Sequence, residues 1–154
     1  NLELTFALIK PHIFKNTYAF RNIENLMRSE FTIVKSREVV MSKEIAQNFY
    51  KEHESKFFYN RLLTFVCSGP SFAYILASEN CIAKWRKLMG PTKVFQTVYT
   101  HPGSIRGKFG ISDTRNACHG SDGPESAESE ISLIFPDFSF DDWRRRQEKV
   151  KRKN

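Results

Sequence analysis

The stretch Leu4-Thr-Phe-Ala-Leu-Ile-Lys-Pro11 begins with six residues that favour a buried β-strand and ends with two that stop it. A short apolar run rich in β-forming residues is typical of a strand covered on both faces. Proline fixes φ and lacks an N–H donor, and it also restricts the residue before it. The sequence therefore predicts a buried strand over 4–9, with Lys10 at its end.

The next segments alternate between helical and strand patterns. From Thr17 to Phe31, apolar residues recur at spacings of three and four, which predicts an amphipathic helix. A strand is predicted over 31–41, and Ser42 is placed to cap a helix that carries Ile45, Phe49 and Tyr50. Further predictions are helices over 57–66, 81–89 (capped by Asn80) and 126–135, strands over 72–77 and 116–119, and a basic helix from Asp141 onward.

Residues 90–110 are rich in Gly, Pro, Thr and Ser and predict a long loop with little regular structure. The order of the other elements is strand, helix, strand, strand, helix, strand. This order predicts an α+β fold of the ferredoxin-like βαββαβ type, with a four-stranded antiparallel sheet packed with helices and a basic C-terminal helix or tail.

The chain of 154 residues is long enough for one domain with its own core. Its net charge of +7 is concentrated at the end, because residues 144–154 hold seven Lys and Arg against one Glu, a net of +6. We therefore predict a domain over 1–143 and a basic tail over 144–154. The tail and the aromatic residues leave open a nucleic-acid-binding module as a minor alternative, although such tails are usually solvated termini.

The sequence shows no apolar run of about 18 residues, so no transmembrane segment is expected. Its three cysteines are odd in number and lack C-x-x-C spacing, which argues against a disulfide framework and a zinc site and favours a reducing compartment. Any cleavable targeting segment would have to lie upstream of residue 1. His12, His53 and His101 show no metal-site spacing and are interpreted as structural.

The stretch Arg115-Asn-Ala-Cys-His-Gly-Ser-Asp122 is where chemistry is predicted. A histidine can be a general base, a metal ligand or a nucleophile, and it can also be purely structural. Gly120 would leave room for a ligand to approach the backbone. Ser121 and Asp122 supply a hydroxyl and a carboxylate near the His119 ring.

A set of separated residues has the character of a phosphate and nucleobase site. Lys10, Arg86 and Arg106 are cations and Thr92 adds a hydroxyl, while the chain lacks both common glycine-rich phosphate motifs. A ring within Phe57-Phe-Tyr59 could stack on a nucleobase. Each of these residues also has an ordinary reading, as a surface charge or as part of the core.

The motif N-x-x-H-G-S-D, together with a strand that ends in Lys-Pro, resembles the nucleoside diphosphate kinase family over about residues 3–138. The other matching motifs are FY at 49–50, SGP at 68–70, MGPT at 89–92, PGSIRG at 102–107 and SAESEIS at 126–132. The resemblance implies transfer of the γ-phosphoryl group from a nucleoside triphosphate to a diphosphate, with a phosphohistidine intermediate.

The resemblance also implies a role for each matching residue. His119 would be the nucleophile, Glu130 would orient its imidazole, and the hydroxyls of Tyr50 and Ser121 would line it. The phosphates would be bound by Lys10, Arg86, Thr92 and Arg106, the base would stack on Phe58, and Asn116 would contact the sugar. The implied cofactor is Mg²⁺, held through the phosphates and reached by Asp122 only through water.

Several positions depart from the common family pattern. The chain has Lys10-Pro-His-Ile13 and Lys56-Phe-Phe-Tyr59 where the family usually has Lys-Pro-Asp-Gly and Arg-Pro-Phe-Phe, and Asp113 replaces an apolar base-contacting residue. The segment between Thr92 and Arg106 is about three residues longer than usual. These departures are most like the divergent type 6 subgroup, which implies a mitochondrial or cytoplasmic location.

The longer segment also bears on assembly. In the main group the corresponding loop packs between subunits of a hexamer, so we predict a monomer, a dimer or a complex with a protein partner instead. Val94, Phe95, Val98 and Tyr99 offer an apolar face for such a partner. The alternative function is a weakly active relative that acts as a binding or scaffold subunit.

Overall fold

The computed structural model describes residues 1–113 and 115–154. Within these ranges the strands are β1 (Glu3–Ile9), β2 (Thr32–Val39), β3 (Ser71–Ser78) and β4 (Cys118–Gly120). The helices of the same ranges are α1 (Pro11–Phe14), α2 (Thr17–Glu30), α3 (Lys43–Phe49), α4 (Tyr59–Val66), α5 (Cys81–Met89), α6 (Val94–Thr100), α7 (Ile105–Phe109), α8 (Pro124–Ile134) and α9 (Phe140–Lys153), with a 3-10 turn at Lys51–His53.

The strands form one antiparallel sheet in the order β2-β3-β1-β4. The first strand pairs with β3 on one side and with β4 on the other, so the run that opens the chain lies inside the sheet. Helix α2 connects β1 to β2 and α5 follows β3, which gives the βαββαβ order. The predicted ferredoxin-like fold and its C-terminal helix are confirmed.

Side chains on the two faces of β1 enter two separate cores. Ala7 and Ile9 pack in a cluster that includes Ile23 of α2 and Trp85 of α5. Phe6 and Leu8, on the other face, pack in a cluster with residues of α3, α4 and α8. Both faces of the strand are fully buried, as its continuous apolar run predicts.

The prediction of little regular structure over 90–110 was wrong, because α6 and α7 lie there. Thr97 is fully buried, and its hydroxyl donates to the backbone carbonyls of Pro91 and Lys93. At α7 the Ser104 hydroxyl accepts a hydrogen bond from the Gly107 N–H. Local caps and burial therefore override a composition that is typical of loops.

Of the two predicted helix caps, one is present and one is not. The Ser42 hydroxyl accepts from the Ile45 N–H and caps α3. Asn80 has left-handed backbone geometry, and its side chain makes no capping bond to α5. The carboxylate of Glu3 accepts from the Ile82 N–H instead, so a residue distant in sequence caps this helix.

The basic C-terminus forms the second half of α9. This helix crosses the predicted boundary between residues 143 and 144, and that boundary stays a prediction. Cys67, Cys81 and Cys118 are free thiols. In the described parts of the chain, every helix is too short or too polar to span a bilayer.

Candidate functional site

The antiparallel pairing of β1 and β4 brings together two predicted site residues from opposite ends of the sequence. Leu8 lies opposite His119 in the register, and the Lys10 N–H donates to the Ala117 carbonyl over 3.0 Å. Ala117 has a φ of 86°, a left-handed conformation that alanine rarely adopts. Such strained backbone often marks a functional site, and here it immediately precedes β4.

The His119 ring is held by a carboxylate from α8. Its Nε2 atom lies 2.5 Å from Oε1 of Glu130. The hydroxyl of Ser121 donates to the other carboxylate oxygen over 3.0 Å, and the backbone N–H of Phe6 donates to that hydroxyl oxygen over 3.3 Å. The sheet thus fixes the carboxylate, and the carboxylate fixes the imidazole.

This geometry differentiates the two nitrogens of the imidazole. When Nε2–H donates to the carboxylate, Nδ1 carries the lone pair and is the ring nitrogen able to act as a nucleophile. The partly buried carboxylate also stabilises positive charge on the ring. The arrangement resembles the histidine–carboxylate pairs that fix a tautomer in other catalytic sites.

Two predicted cations, one buried and one half-buried, are bound to residues that flank His119. Lys10 is 3% exposed, and its ammonium donates to the Asn116 side-chain oxygen over 2.9 Å. Arg106 donates to the backbone carbonyls of Gly90 and Cys118. Its buried Nε has no hydrogen-bond partner among the described residues. The acceptors of these hydrogen bonds are an amide oxygen and two backbone carbonyls, which are groups without a formal charge.

Burial of the Lys10 side chain lowers its pKa from 10.5 to about 7, and the nearby Arg106 contributes in the same direction. Burial also lowers the pKa of Arg106 from its ordinary value. Both shifts reflect the cost of placing positive charge where water is largely excluded. A bound phosphate would remove that cost, which is why these residues fit a phosphate site.

A pocket of about 1160 Å³ opens in front of His119. Its walls include most of the predicted site residues: Lys10, Tyr50, Phe58, Arg86, Thr92, Arg106, Asn116, His119 and Asp122. Ser121 and Glu130 do not line this pocket. Glu130 contacts the His119 ring, and Ser121 contacts Glu130. The structure thus brings all eleven predicted residues to one place, on both sides of the catalytic candidate.

Arg86, Asp122 and Asn116 make contacts that were not part of their expected roles. Arg86 lies 3.6 Å from the Asp122 carboxylate, so these two exposed groups pair with each other. The amide of Asn116 is engaged at both ends, because its nitrogen donates to the Asp113 carbonyl while its oxygen accepts from Lys10. In this arrangement Asn116 positions Lys10, and its sugar contact stays a prediction.

Tyr50 contacts the His119 ring through its own ring, edge-on, with 6.3 Å between centroids. Its buried hydroxyl has no hydrogen-bond partner among the described residues, and burial raises the pKa of this phenol well above its ordinary value. Phe49 lies closer to the imidazole, at 4.5 Å between ring centroids. Sequence reasoning noted the pair Phe49-Tyr50 but did not identify Phe49 as a residue that packs against the candidate nucleophile.

Aromatic and apolar side chains form the outer pocket. Phe58 lies beside His53 and edge-on to Phe57, with ring centroids 5.6 and 5.5 Å away respectively. Across the opening, Phe95 and Val98 of α6 line the pocket, in the segment that was predicted to be a loop. These two residues were predicted to face a protein partner. Because α6 forms, they line this pocket instead.

Gly120 lines the pocket in front of His119, and it also lies against the core. A Cβ atom at this position would lie 2.5 Å from the Trp85 ring and 2.7 Å from Met89 of α5. The missing side chain therefore makes room for the core, and its predicted role in ligand approach stays a prediction. The Trp85 indole N–H donates to the His119 carbonyl over 3.3 Å, so this contact holds β4 against α5.

Comparison with solved structures shows which class of protein has this fold. The chain superposes on a nucleoside diphosphate kinase from Aquifex aeolicus with a TM-score of 0.82 and 32% identity, covering 88% of this chain and 96% of that one. A halophilic nucleoside diphosphate kinase from Halobacterium salinarum in complex with CDP gives a TM-score of 0.79 and 31% identity, covering 88% of each chain. The class is thus that of kinases that act on nucleoside phosphates.

The sequence identifies the family within this class. Residues 3–140 match the family model described as nucleoside diphosphate kinase, and the chain belongs to that family. Nucleoside diphosphate kinase 6 of Homo sapiens is 48% identical over 148 residues, covering 96% of this chain and 80% of that protein. The Danio rerio protein of the same name is 44% identical over 147 residues, covering 96% and 84%. The predicted resemblance to the type 6 subgroup is confirmed.

Proposed function

We propose that this protein is an active nucleoside diphosphate kinase that transfers the γ-phosphoryl group through a phosphohistidine at His119. The observation that carries the proposal is the short contact between Nε2 of His119 and Glu130. It orients the ring so that Nδ1 is the nucleophilic nitrogen, and the ring lies in the wall of the pocket that holds the cations. Family membership supports this chemistry.

In the first half-reaction the Nδ1 lone pair attacks the γ-phosphorus of a nucleoside triphosphate. An N–P bond forms, the bond to the β,γ-bridging oxygen breaks, and the diphosphate leaves with that electron pair. Glu130 stabilises the positive charge that develops on the ring. In the second half-reaction a terminal oxygen of another diphosphate attacks the same phosphorus and the N–P bond breaks. One site therefore serves donor and acceptor in turn.

The cations of the pocket are suited to neutralise the phosphates in both half-reactions. Lys10 is buried and Arg106 is half-buried, while Arg86 and Thr92 are exposed. Phosphoryl transfer depends mainly on positioning and on stabilising charge at the transferring group. Phe58 would stack on the base, because it lies in the aromatic part of the same pocket.

The residues of this pocket also fit Mg²⁺ bound through the nucleotide. Asp122 is one exposed carboxylate at the pocket, already paired with Arg86. Within residues 1–113 and 115–154 no cluster of three His, Cys, Asp or Glu forms a metal cage. Mg²⁺ commonly keeps several waters and binds through one or two carboxylates plus phosphates. When bound, it would offset the charge of the transferring phosphates, with Asp122 in contact through water.

The test is to incubate the pure protein with Mg²⁺ and γ-labelled ATP and to follow retained label. We expect label on His119 that is lost in acid and kept in base, because a phosphoramidate is acid-labile. It should pass to an added nucleoside diphosphate. His119→Ala should abolish labelling, and His101→Ala is the matched control with an exposed histidine outside the pocket. Equal labelling of the His119→Ala protein would contradict the proposal.

A second candidate function is a weakly active binding or scaffold subunit that acts with a protein partner. Three large apolar side chains near the pocket favour it, because Phe57, Phe95 and Tyr99 are 88%, 63% and 86% exposed. Absence of label in both the native and the His119→Ala protein would favour this function over the kinase. Association with mitochondria stays a prediction from the type 6 resemblance.

A further inference from the structure

A second pocket, of about 680 Å³, lies beside the first. It is formed by the residues that follow β1, by helix α4 and by the segment that precedes β4. Arg61 lines both pockets, whereas His119, Lys10, Arg86 and Arg106 line only the larger one. The smaller pocket is thus adjacent to the nucleotide site but has no part in the chemistry proposed there.

Three cations line the smaller pocket: Lys15, Arg61 and Arg115. Among the described residues, its lining contains no Asp or Glu, and none of the three cations forms a salt bridge. Three positive charges around one concavity repel one another unless solvent or an anion separates them. All three side chains are exposed, so solvent already reduces this repulsion, and a bound anion would reduce it further.

The two guanidinium groups are oriented by aromatic rings. Arg115 lies over the Phe65 ring at 5.2 Å from its centroid, and Arg61 lies over the Phe57 ring at 5.7 Å. A guanidinium that packs on a ring through its face keeps its N–H groups, which lie in its own plane, available to an acceptor. Such preorganised donors match the oxygens of a phosphate.

His12 adds an unusual polar group to the same pocket. Both of its ring nitrogens are buried, and neither makes a hydrogen bond of normal geometry within the described chain. Buried polar atoms without a partner are costly and therefore rare. Because both ring nitrogens are buried, His12 would sense an anion in the pocket through its charge, while Thr64 and Asn60 contribute a hydroxyl and an amide to the lining.

We propose that the pocket between Lys15, Arg61, Arg115 and His12 binds a phosphate-type oxyanion at a site separate from the γ-phosphate site of His119. The donors that line the pocket are guanidinium, ammonium, hydroxyl and amide groups, which together suit a compact oxyanion. Two sources supply this chemistry, namely free inorganic phosphate and a phosphate group of a nucleotide. Both are tested below.

The pKa of His12 provides a local readout. It is lowered from 6.5 to about 4 by burial first, then by the charges of Lys10 and Arg115, while the Arg115 backbone acts weakly in the opposite direction. An anion bound among these groups would offset the cations and raise this pKa. A phosphate bound only at His119 would leave most of the shift in place.

The experiment is an NMR titration of the four histidine rings of the intact protein with inorganic phosphate up to about 50 mM, a range that covers millimolar binding. His12→Gln identifies the His12 signals. We expect these signals to shift saturably and the His12 pKa to rise. Lys15→Gln combined with Arg115→Gln should weaken the His12 response by about tenfold or more, since two charge-assisted contacts are removed.

The control removes the same charge elsewhere, through Lys35→Gln and Lys149→Gln, two exposed residues outside both pockets. The Arg115→Lys protein should keep a weaker response of the His12 signals to phosphate. This result would show that the pocket persists after a substitution at residue 115. If phosphate shifts His119 but not His12, or if the Lys15/Arg115 variant responds like its control, the proposal is overturned. Repeating the titration with ATP distinguishes the two sources. If ATP shifts the His12 signals and Lys15→Gln weakens that shift, the anion is a phosphate group of a nucleotide. If ATP leaves the His12 signals unchanged, the anion is free phosphate.

Discussion

Glu130 holds His119 with one carboxylate oxygen and accepts the Ser121 hydroxyl with the other, at 2.5 and 3.0 Å. The backbone N–H of Phe6 donates to the same hydroxyl and anchors it to the buried strand β1. Both oxygens of Glu130 are thus engaged, which leaves the carboxylate little freedom to rotate. The imidazole orientation therefore depends on a chain of contacts that begins in the core of the sheet.

We predict that Glu130→Gln slows phosphorylation of His119 by about a hundredfold or more, because an amide can present N–H where the ring needs an acceptor and thereby favours the wrong tautomer. The measurement is the single-turnover rate of labelling by γ-labelled ATP. Glu128→Gln, on the same helix but exposed and outside the pocket, is the matched control and should label at the native rate. Equal rates for the two variants would refute the orienting role.

We predict that Gly120→Ala destabilises the fold by about 1–3 kcal/mol, because its Cβ would overlap the Trp85 ring and Met89. The free energy of unfolding in urea measures this effect. Gly103→Ala is the control, since no atom lies within 4 Å of a Cβ built there, and it should change the free energy by at most about 0.5 kcal/mol. An equally small effect at position 120 would show that α5 can move away from β4.

Lys10 makes the stability of the ligand-free protein depend on pH. Its pKa is about 7 in the folded chain and 10.5 in the absence of the fold. Between these values the unfolded chain holds a proton that the folded chain has released, so the free energy of unfolding rises with pH. The rise is at most about 1.4 kcal/mol per pH unit for one proton. Below pH 7 both states are protonated and the full cost of the buried charge is present.

We predict that the native protein gains stability between pH 7 and 8.5 and that Lys10→Met removes this slope. Urea unfolding over that window measures it, with Lys87→Met, an exposed lysine of α5, as the control. The window ends below pH 9 because burial raises the pKa of Cys118 to about 11, and this thiol contributes a slope of opposite sign at higher pH. Parallel slopes in the native and Lys10→Met proteins would contradict the assignment of Lys10.

The sequence alone predicted the features that depend on local patterns. The continuous apolar run of β1 and the three-to-four spacing of α2 each indicate one structure, and both are present. The pairing of His119 with Glu130 was implied by the family resemblance, because the residues alone leave several roles open for a histidine and for a helical glutamate. Its geometry depends on how α8 packs against β1, which no local pattern encodes.

The features that were missed depend on contacts between distant segments. Helix α6 lies in a composition typical of loops and is stabilised by burial of Thr97 and by the carboxylate of Asp113. The second pocket combines Lys15 and Arg115, which are a hundred residues apart in the sequence. His12 was interpreted as structural because it has no paired spacing, and only the fold shows the cations around it.

Asp113 stands where the family resemblance implies an apolar base-contacting residue, and here its carboxylate holds the start of α6. Its Oδ1 atom accepts from the Val94 N–H at the start of α6, at 3.2 Å. Because this oxygen is engaged in holding the helix, we predict that nucleobases are discriminated by less than about a hundredfold, or 2.7 kcal/mol. Asp113→Ala should speed hydrogen exchange of the α6 amides by the factor that corresponds to a loss of about 1 kcal/mol of helix stability. The same substitution should leave base preference unchanged.

Hydrogen exchange and kcat/KM for four nucleoside triphosphates measure the two effects. Asp137→Ala, an exposed carboxylate outside the pocket, is the control for the loss of charge. A strong preference for one base that disappears in Asp113→Ala would show that the carboxylate reads the base edge. Stacking on Phe58 would then be the smaller contribution to selectivity.

The last prediction concerns assembly, and it depends on the segment from Lys93 to Ile105. Its extra residues cost about 0.2 kcal/mol of closure entropy by the logarithmic law, so they need not weaken the domain. The segment contains α6, whose Phe95 and Tyr99 are one helical turn apart and both exposed. A loop that carries a helix presents a different surface from the shorter loop that packs in a hexamer. We therefore predict a monomer, a dimer or a complex with a protein partner.

Light scattering on the purified protein measures the particle mass. Six copies of the 18.0 kDa chain would weigh about 108 kDa, and a particle of that mass would refute the prediction. Residues 101–103 join α6 to α7 and are exposed, so their excision shortens the segment without cutting either helix. If the loop blocks the hexamer, this excision should increase the particle mass toward 108 kDa, whereas Gly103→Ala should not. If the excised protein stays small, the determinants of assembly lie on other surfaces, because loop length would then have been corrected without effect.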